Sequence, residues 1–159
     1  MTIDRIDWHE DAVNEEILDD ERLERAGAHI GYYMEWAYKK GFAPNNPETH
    51  DVEEYQKVAK SQISGLQFLI ENCDSKFWDV DLNEEGLKFT LYAYDTYLSN
   101  LGEILGHEPY AEKYNEKDLQ SVCKYLDKVY EDYLVNPPVE QIKKEKTSLL
   151  NKIKNYLFK

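Results

Sequence analysis

A chain of 159 residues with an apolar share of 42% and a net charge of -13 is long enough to bury one ordinary hydrophobic core without a covalent or metal staple. The acidic balance opposes binding to DNA or RNA, which depends on Lys and Arg neutralising phosphates. No apolar run approaches the roughly 18 residues of a membrane-spanning helix. No charged-then-apolar leader opens the chain, and Cys73 and Cys123 have no Cys-x-x-Cys or Cys/His spacing around them. The expectation is a cytoplasmic protein with two reduced thiols and no cofactor.

Residues 1–24 hold ten acids (Asp4, Asp7, Glu10, Asp11, Glu15, Glu16, Asp19, Asp20, Glu21 and Glu24) against Arg5 and Arg22, a local balance of -8. Charge this dense is either a solvated face or a surface that a basic protein partner neutralises. Within this stretch Ile3, Ile6 and Trp8 read as an irregular arm packing onto the rest. His9-Glu10-Asp11 beside Asp4 and Asp7 offers carboxylates of the kind hard cations take. The spacing matches no calcium loop, zinc-protease helix or Glu-x-x-His pair, so no metal site is expected.

The first strong helical period runs from about Asp20 to Lys40, with Leu23, Ala26, Ile30, Tyr33, Met34 and Ala37 at three- and four-residue steps, and stops at Gly41. Gly27 and Gly31 lie on one face, where missing side chains admit a second helix at close range. His29 flanks the apolar stripe. A ring in that position reads as a partly buried structural group, with a general base as the alternative.

A second helix is predicted over Val52 to Asn72, with Ser64-Gly65 a point of bending or breakage. Leu87, Leu91, Tyr94, Leu98, Leu101 and Leu105 then keep a 4-3-4-3-4 spacing that predicts one inward stripe. Asn83, Glu85 and Gly86 mark its start. Glu103 and His107, four apart near the helix end, read as a local pair. Leu119 to Tyr133 repeats the apolar period up to Pro137-Pro138. Last, Val139 to Leu157 predicts a lysine-rich amphipathic helix, in a segment where six lysines face two glutamates. With short connections and weak strand signals, the economical architecture is all-α: a single domain over 1–159, an antiparallel bundle of about five helices behind the N-terminal arm.

Catalytic signatures are missing from the linear sequence: it has no Gly-x-Ser-x-Gly elbow and no Gly-rich phosphate loop. Thirteen tyrosines exceed what a small core needs, so several are expected at the surface.

Ile6-Asp7-Trp8-His9, followed by Ala26-Gly27-Ala28-His29-Ile30-Gly31-Tyr32-Tyr33-Met34-Glu35-Trp36 and then Gly41, resembles a family of small bacterial proteins. Its members carry an Asp-Trp-His start and an Ala-x-x-His-Ile-Gly-x-x-x-x-Trp helix. The resemblance continues at Asn72-Cys73-Asp74 and Asp81-Leu82-Asn83-Glu84-Glu85-Gly86, and covers roughly residues 3 to 100. Proteins of this sort look like immunity proteins, which neutralise a toxin encoded beside them. The resemblance carries over no catalytic residue. It marks Trp8, His9, His29, Gly31, Trp36, Asp74, Asp81 and Glu85 as shared motif positions, whose architectural reading is two aromatic plugs, a close-packing glycine, and caps or turns.

The function expected is therefore binding, without catalysis, to a basic protein such as a toxin, through Asp4, Asp7, Glu10, Asp11, Glu15, Glu16, Asp19 and Asp20. Two alternatives stand beside it: a small enzyme whose His9, His29 and N-terminal acids meet only in space, and an oligomeric structural protein.

Overall fold

Helix packing here starts from two glycines on different helices. In the computed structural model, which describes residues 1–138, helix α1 (Asp19–Lys39) is buried from Ala26 to Tyr38. Helix α3 (Gly65–Asn72) packs along it. A Cβ on Gly31 would stand 2.6 Å from the Leu66 backbone nitrogen, and one on Gly65 would stand 2.0 Å from the Gly31 carbonyl oxygen. The two backbones therefore touch, which only glycine allows. Gly27 makes a looser fit, its missing Cβ facing the side-chain ends of Ile6 and Leu66. Asp19, Asp20 and Glu21 fill the first turn of α1 and Lys39 its last, complementing the helix dipole. Gly41, at φ +85°, ends the run.

The single helix expected over Val52 to Asn72 is two. Helix α2 (Val52–Ala59) ends before Ser61, which takes a left-handed φ of +56°, and the Ser64 side chain caps α3 by accepting from the Gln67 N–H. The break thus lies where Ser64-Gly65 suggested.

The N-terminal arm is not irregular. Strand β1 (Thr2–Arg5) pairs antiparallel with β2 (Lys76–Trp78), with Asp4 opposite Phe77 and Arg5 opposite Lys76. The all-α expectation is corrected accordingly: the fold is mainly helical with a small two-stranded sheet. A register irregularity falls between Thr2 and Asp4, the kind of defect that re-aims a side chain. Two 3-10 turns, Ile6–Trp8 and Glu10–Ala12, carry the chain on towards α1.

Helix α4 (Glu84–Ser99) begins where Asn83 accepts from the Gly86 N–H at 2.9 Å. Its buried face is Phe89, Thr90, Ala93, Tyr94 and Tyr97, continued by Leu101 in α5 (Leu101–Leu105). The predicted leucine stripe lies roughly a quarter-turn away. Tyr94, Leu101 and Leu105 are buried, Leu87 and Leu98 are half-buried, and Leu91 is 63% exposed. Aromatic rings displaced the leucines because they reach the aromatic core beneath: Trp36 lies 5.3 Å from Phe89, and Tyr33 lies 4.8 Å edge-on from Tyr94.

Helix α6 (Glu116–Val135) is capped by the Asn115 side chain, which accepts from the Asp118 N–H, and it buries Leu119, Val122 and Leu126. Met1–Leu126 forms one compact unit and a second begins at Asp127. Within that second unit Tyr130 and Tyr133 stack with centroids 6.3 Å apart. The lysine-rich helix predicted from Val139 lies outside the described residues. Among the described residues, no helix is long and apolar enough to cross a membrane. Cys73 and Cys123 are both free thiols.

The rotated face of α4 gives a direct test by chemical denaturation. Phe89→Ala is expected to lose about 3–5 kcal/mol of unfolding free energy, and Leu91→Ala less than about 0.5 kcal/mol. The reverse order would restore the leucine stripe to the core.

Candidate functional site

Asp4 leaves β1 pointing inward and is 2% exposed. A carboxylate cannot be left there without donors, and it has four. Oδ1 accepts from the Arg5 backbone N–H at 2.7 Å and meets His9 Nε2 at 2.7 Å; Oδ2 accepts from the Tyr94 hydroxyl at 2.8 Å and meets His29 Nε2 at 3.3 Å. Burial alone would raise the Asp4 pKa. The hydrogen bonds to His29 and His9 outweigh it and hold the carboxyl well below the usual carboxylate range. An ionised carboxylate only accepts, so both imidazoles present Nε2–H to it.

The far sides of the two rings differ. His9 Nδ1 faces the Tyr110 hydroxyl at 2.9 Å. His29 is 2% exposed and its Nδ1 has no hydrogen bond of good geometry; the Ala26 carbonyl of its own helix gives only a weak polar contact. Burial drives the His29 pKa down against the upward pull of Asp4, so the ring is held towards its neutral form. The His9 and His29 rings meet edge to face at 4.4 Å, and Tyr110 stacks on His9 at 5.6 Å.

Tyr110 reaches this position from the loop after α5, with φ +66°. A bulky residue in the left-handed region costs of order 1–3 kcal/mol unless its surroundings impose it. Burial and the nearby Asp4 charge raise the Tyr110 pKa, so its phenol keeps its proton. Below the rings the Tyr97 hydroxyl donates to the His29 carbonyl at 2.8 Å. The cavity touching His29, Tyr32, Leu101 and Tyr110 has about 10 Å³ of room, that of a single water at most.

Among the described residues, Asp4, His9 and His29 form a group able to hold a metal ion, each offering one ligand atom, all within 4.8 Å of one another. A second polar centre lies along α1. Buried Glu35 accepts from the Gly65 N–H at 3.0 Å, from Lys39 at 2.7 Å and from the Tyr114 hydroxyl. Nearby, an open groove is lined by Glu21, Arg25, His107, Lys113, Tyr114 and Asp118. His107 Nε2 pairs with Asp118 at 3.0 Å, not with Glu103 as its spacing suggested.

The remaining positions singled out in the sequence scatter. Asp7, Asp11, Glu15, Glu16, Asp19 and Asp20 are exposed and Glu10 is half-buried. Trp8, read as a plug, is 58% exposed, with the Arg5 guanidinium 5.7 Å from its ring. Trp36 is core, and Gly31 lies against α3. Asp74 sits in a left-handed turn beside Lys76. Buried Asp81 accepts from the Trp78 N–H at 2.8 Å and the Tyr55 hydroxyl at 3.3 Å, and Glu85 is exposed on α4. Sequence reasoning had both histidines but missed Tyr94 and Tyr110. It also placed Asp4 on the surface with the rest of its acidic run.

A family described as a domain of unknown function (DUF7832) matches residues 2–132, further along the chain than the shared motifs reach. No curated protein and no solved structure matches the chain.

Two stability measurements probe these centres. Asp4→Asn keeps the shape but removes the charge and replaces one acceptor with a donor, so urea unfolding should show a loss of about 3–5 kcal/mol. A loss under about 1 kcal/mol would mean that the carboxylate does not hold the cluster together. For His107, the hydrogen bond to the Glu108 carbonyl and the pairing with Asp118 raise its pKa. Its stabilisation is therefore complete below the unfolded value of about 6.5 and fades as pH rises through the folded one. His107→Gln should lower the melting temperature at about pH 5.5 and much less at about pH 9. An equal loss at both would locate the effect in packing.

Proposed function

Because the chain belongs to the DUF7832 family, whose description carries no activity, we propose its role from the surface it presents: a protein that binds a basic protein partner through its N-terminal segment, without catalysis. The observation that carries this reading is the exposure of Trp8 and Leu18, at 58% and 78%, inside the most acidic stretch of the chain. Large apolar side chains ringed by carboxylates supply both parts of a tight interface. The rim speeds encounter with a positive surface, and the desolvated anchors hold what arrives. Asp4 is excluded from this surface by its burial, which leaves Asp7, Asp11, Glu15, Glu16, Asp19 and Asp20 as the steering charges.

The most concrete form of the reading is an immunity protein covering the basic active site of a bacterial toxin. Motif resemblance and net charge support it. Tyrosines contribute less to the surface than their number suggests: Tyr32, Tyr33, Tyr38, Tyr55, Tyr94 and Tyr97 are all buried. The enzyme alternative gains from the meeting of His9, His29 and Asp4. Against it, the cavity touching His29 admits no organic substrate.

Affinity purification of the tagged protein from its host supplies the partner, and stopped-flow kinetics then separates the two parts of the surface. Replacing Asp11, Glu15, Glu16 and Asp19 with Lys should slow association at least about tenfold at low salt and flatten its salt dependence. Trp8→Ala should act on dissociation, costing about 2 kcal/mol or more. Unchanged association at low ionic strength would remove the acidic segment from the interface.

A further inference from the structure

We propose that Asp4, His9 and His29 bind a divalent transition-metal cation of the zinc class, which fastens the N-terminal segment to α1. This rests on the geometry of the buried cluster and stands apart from the partner-binding reading.

Donor chemistry sets the class of ion. Two imidazoles and one carboxylate suit zinc and its first-row neighbours, whereas calcium and magnesium prefer oxygen alone. The three residues come from β1, from the end of a 3-10 turn and from the middle of α1, which is why linear spacing matched no metal motif. Their ligand atoms already lie within 4.8 Å of one another, and the carboxylate spans both rings, with Oδ1 2.7 Å from His9 and Oδ2 3.3 Å from His29. An ion bonded at about 2.0–2.1 Å to each, in tetrahedral geometry, holds its ligand atoms roughly 3.3 Å apart. Reaching that spacing about one ion draws the more distant ligand atoms together by at most about 1.5 Å, within reach of side-chain rotation. Such three-ligand sites leave the fourth position to a water.

Hydrogen placement gives an independent reason. Without a cation, the neutral His29 ring carries its hydrogen on Nε2 to serve Asp4, and its Nδ1 is left as a buried acceptor with no donor. With a cation on both Nε2 atoms, each ring carries its hydrogen on Nδ1, and His29 reaches that form without losing a proton. On His29 that hydrogen then faces the Ala26 carbonyl, turning an orphaned atom into a donor with an acceptor close by. On His9 it faces the Tyr110 oxygen, which accepts it. A ligand imidazole with its second nitrogen anchored in this way is the usual support around bound zinc.

The test uses the full chain, stripped with a chelator and titrated with Co²⁺ or Zn²⁺ alone. Wild-type protein should take up one Co²⁺ with visible d–d absorption of a four- or five-coordinate ion, lose it to Zn²⁺, and melt higher when Zn²⁺ is present. His9→Gln, at the solvent edge of the cluster, should remain folded by circular dichroism in chelator and bind Zn²⁺ at least about a hundredfold more weakly. His107→Gln, which leaves the cluster intact, should bind as wild type does. Only the weak spectrum of hydrated Co²⁺ and no thermal shift with Zn²⁺ would overturn the proposal. Undiminished binding by His9→Gln, or binding lost in His107→Gln, would do so too, because the cation would then sit on other carboxylates and imidazoles.

Discussion

One carboxylate withdrawn from water organises much of this molecule. An ionised Asp4 in the interior is tolerable only if donors converge on it, and those donors come from elements far apart in sequence. His29 is on α1, Tyr94 is on α4, and His9 follows the first 3-10 turn; through His9 the bond continues to Tyr110 in the loop after α5. Apolar burial supplies most of the driving force for folding but has no direction. A buried anion does have direction. It specifies which turn of each helix faces the arm, and it gives the short β1–β2 pairing a reason to hold its register.

Much of the helical content was legible because period and punctuation agreed. Gly41, the Ser64-Gly65 break and Asn83 each stand where a physical requirement exists: a left-handed stop, a cap before a close-packed helix, and an N-cap. The strands were not legible, since β2 spans only Lys76–Trp78 and β1 lies inside an acidic stretch without clean alternation. On α4 the period was right and the phase was wrong. Leucines and aromatics both recur at helical intervals there, and the choice between the two stripes was made by Trp36, Tyr33 and Phe77, which a reading of α4 alone does not contain.

The same limit applies to the site. His9 and His29 stood out as shared motif positions, yet nothing local distinguishes Asp4 from the nine other acids of residues 1–24. Its role follows from a strand pairing with residues more than seventy positions away. Tyr110 is hidden for a related reason, because its placement depends on the turn after α5. Trp8 erred in the opposite direction, since a tryptophan beside isoleucines reads as core until Arg5 is seen lying over its outer face.

The glycine contacts of α1 differ in what evolution can do with them. At Gly27 the obstacles to a side chain are the tips of Ile6 and Leu66, so an alanine there could be accommodated by trimming a neighbour. At Gly31 and Gly65 the obstacles are main-chain atoms, which every amino acid shares. No compensating substitution can make room, because there is nothing to shorten. Those two sites form a closed door in sequence space: the helices can drift in composition around them, but each glycine can be abandoned only by pulling α1 and α3 apart.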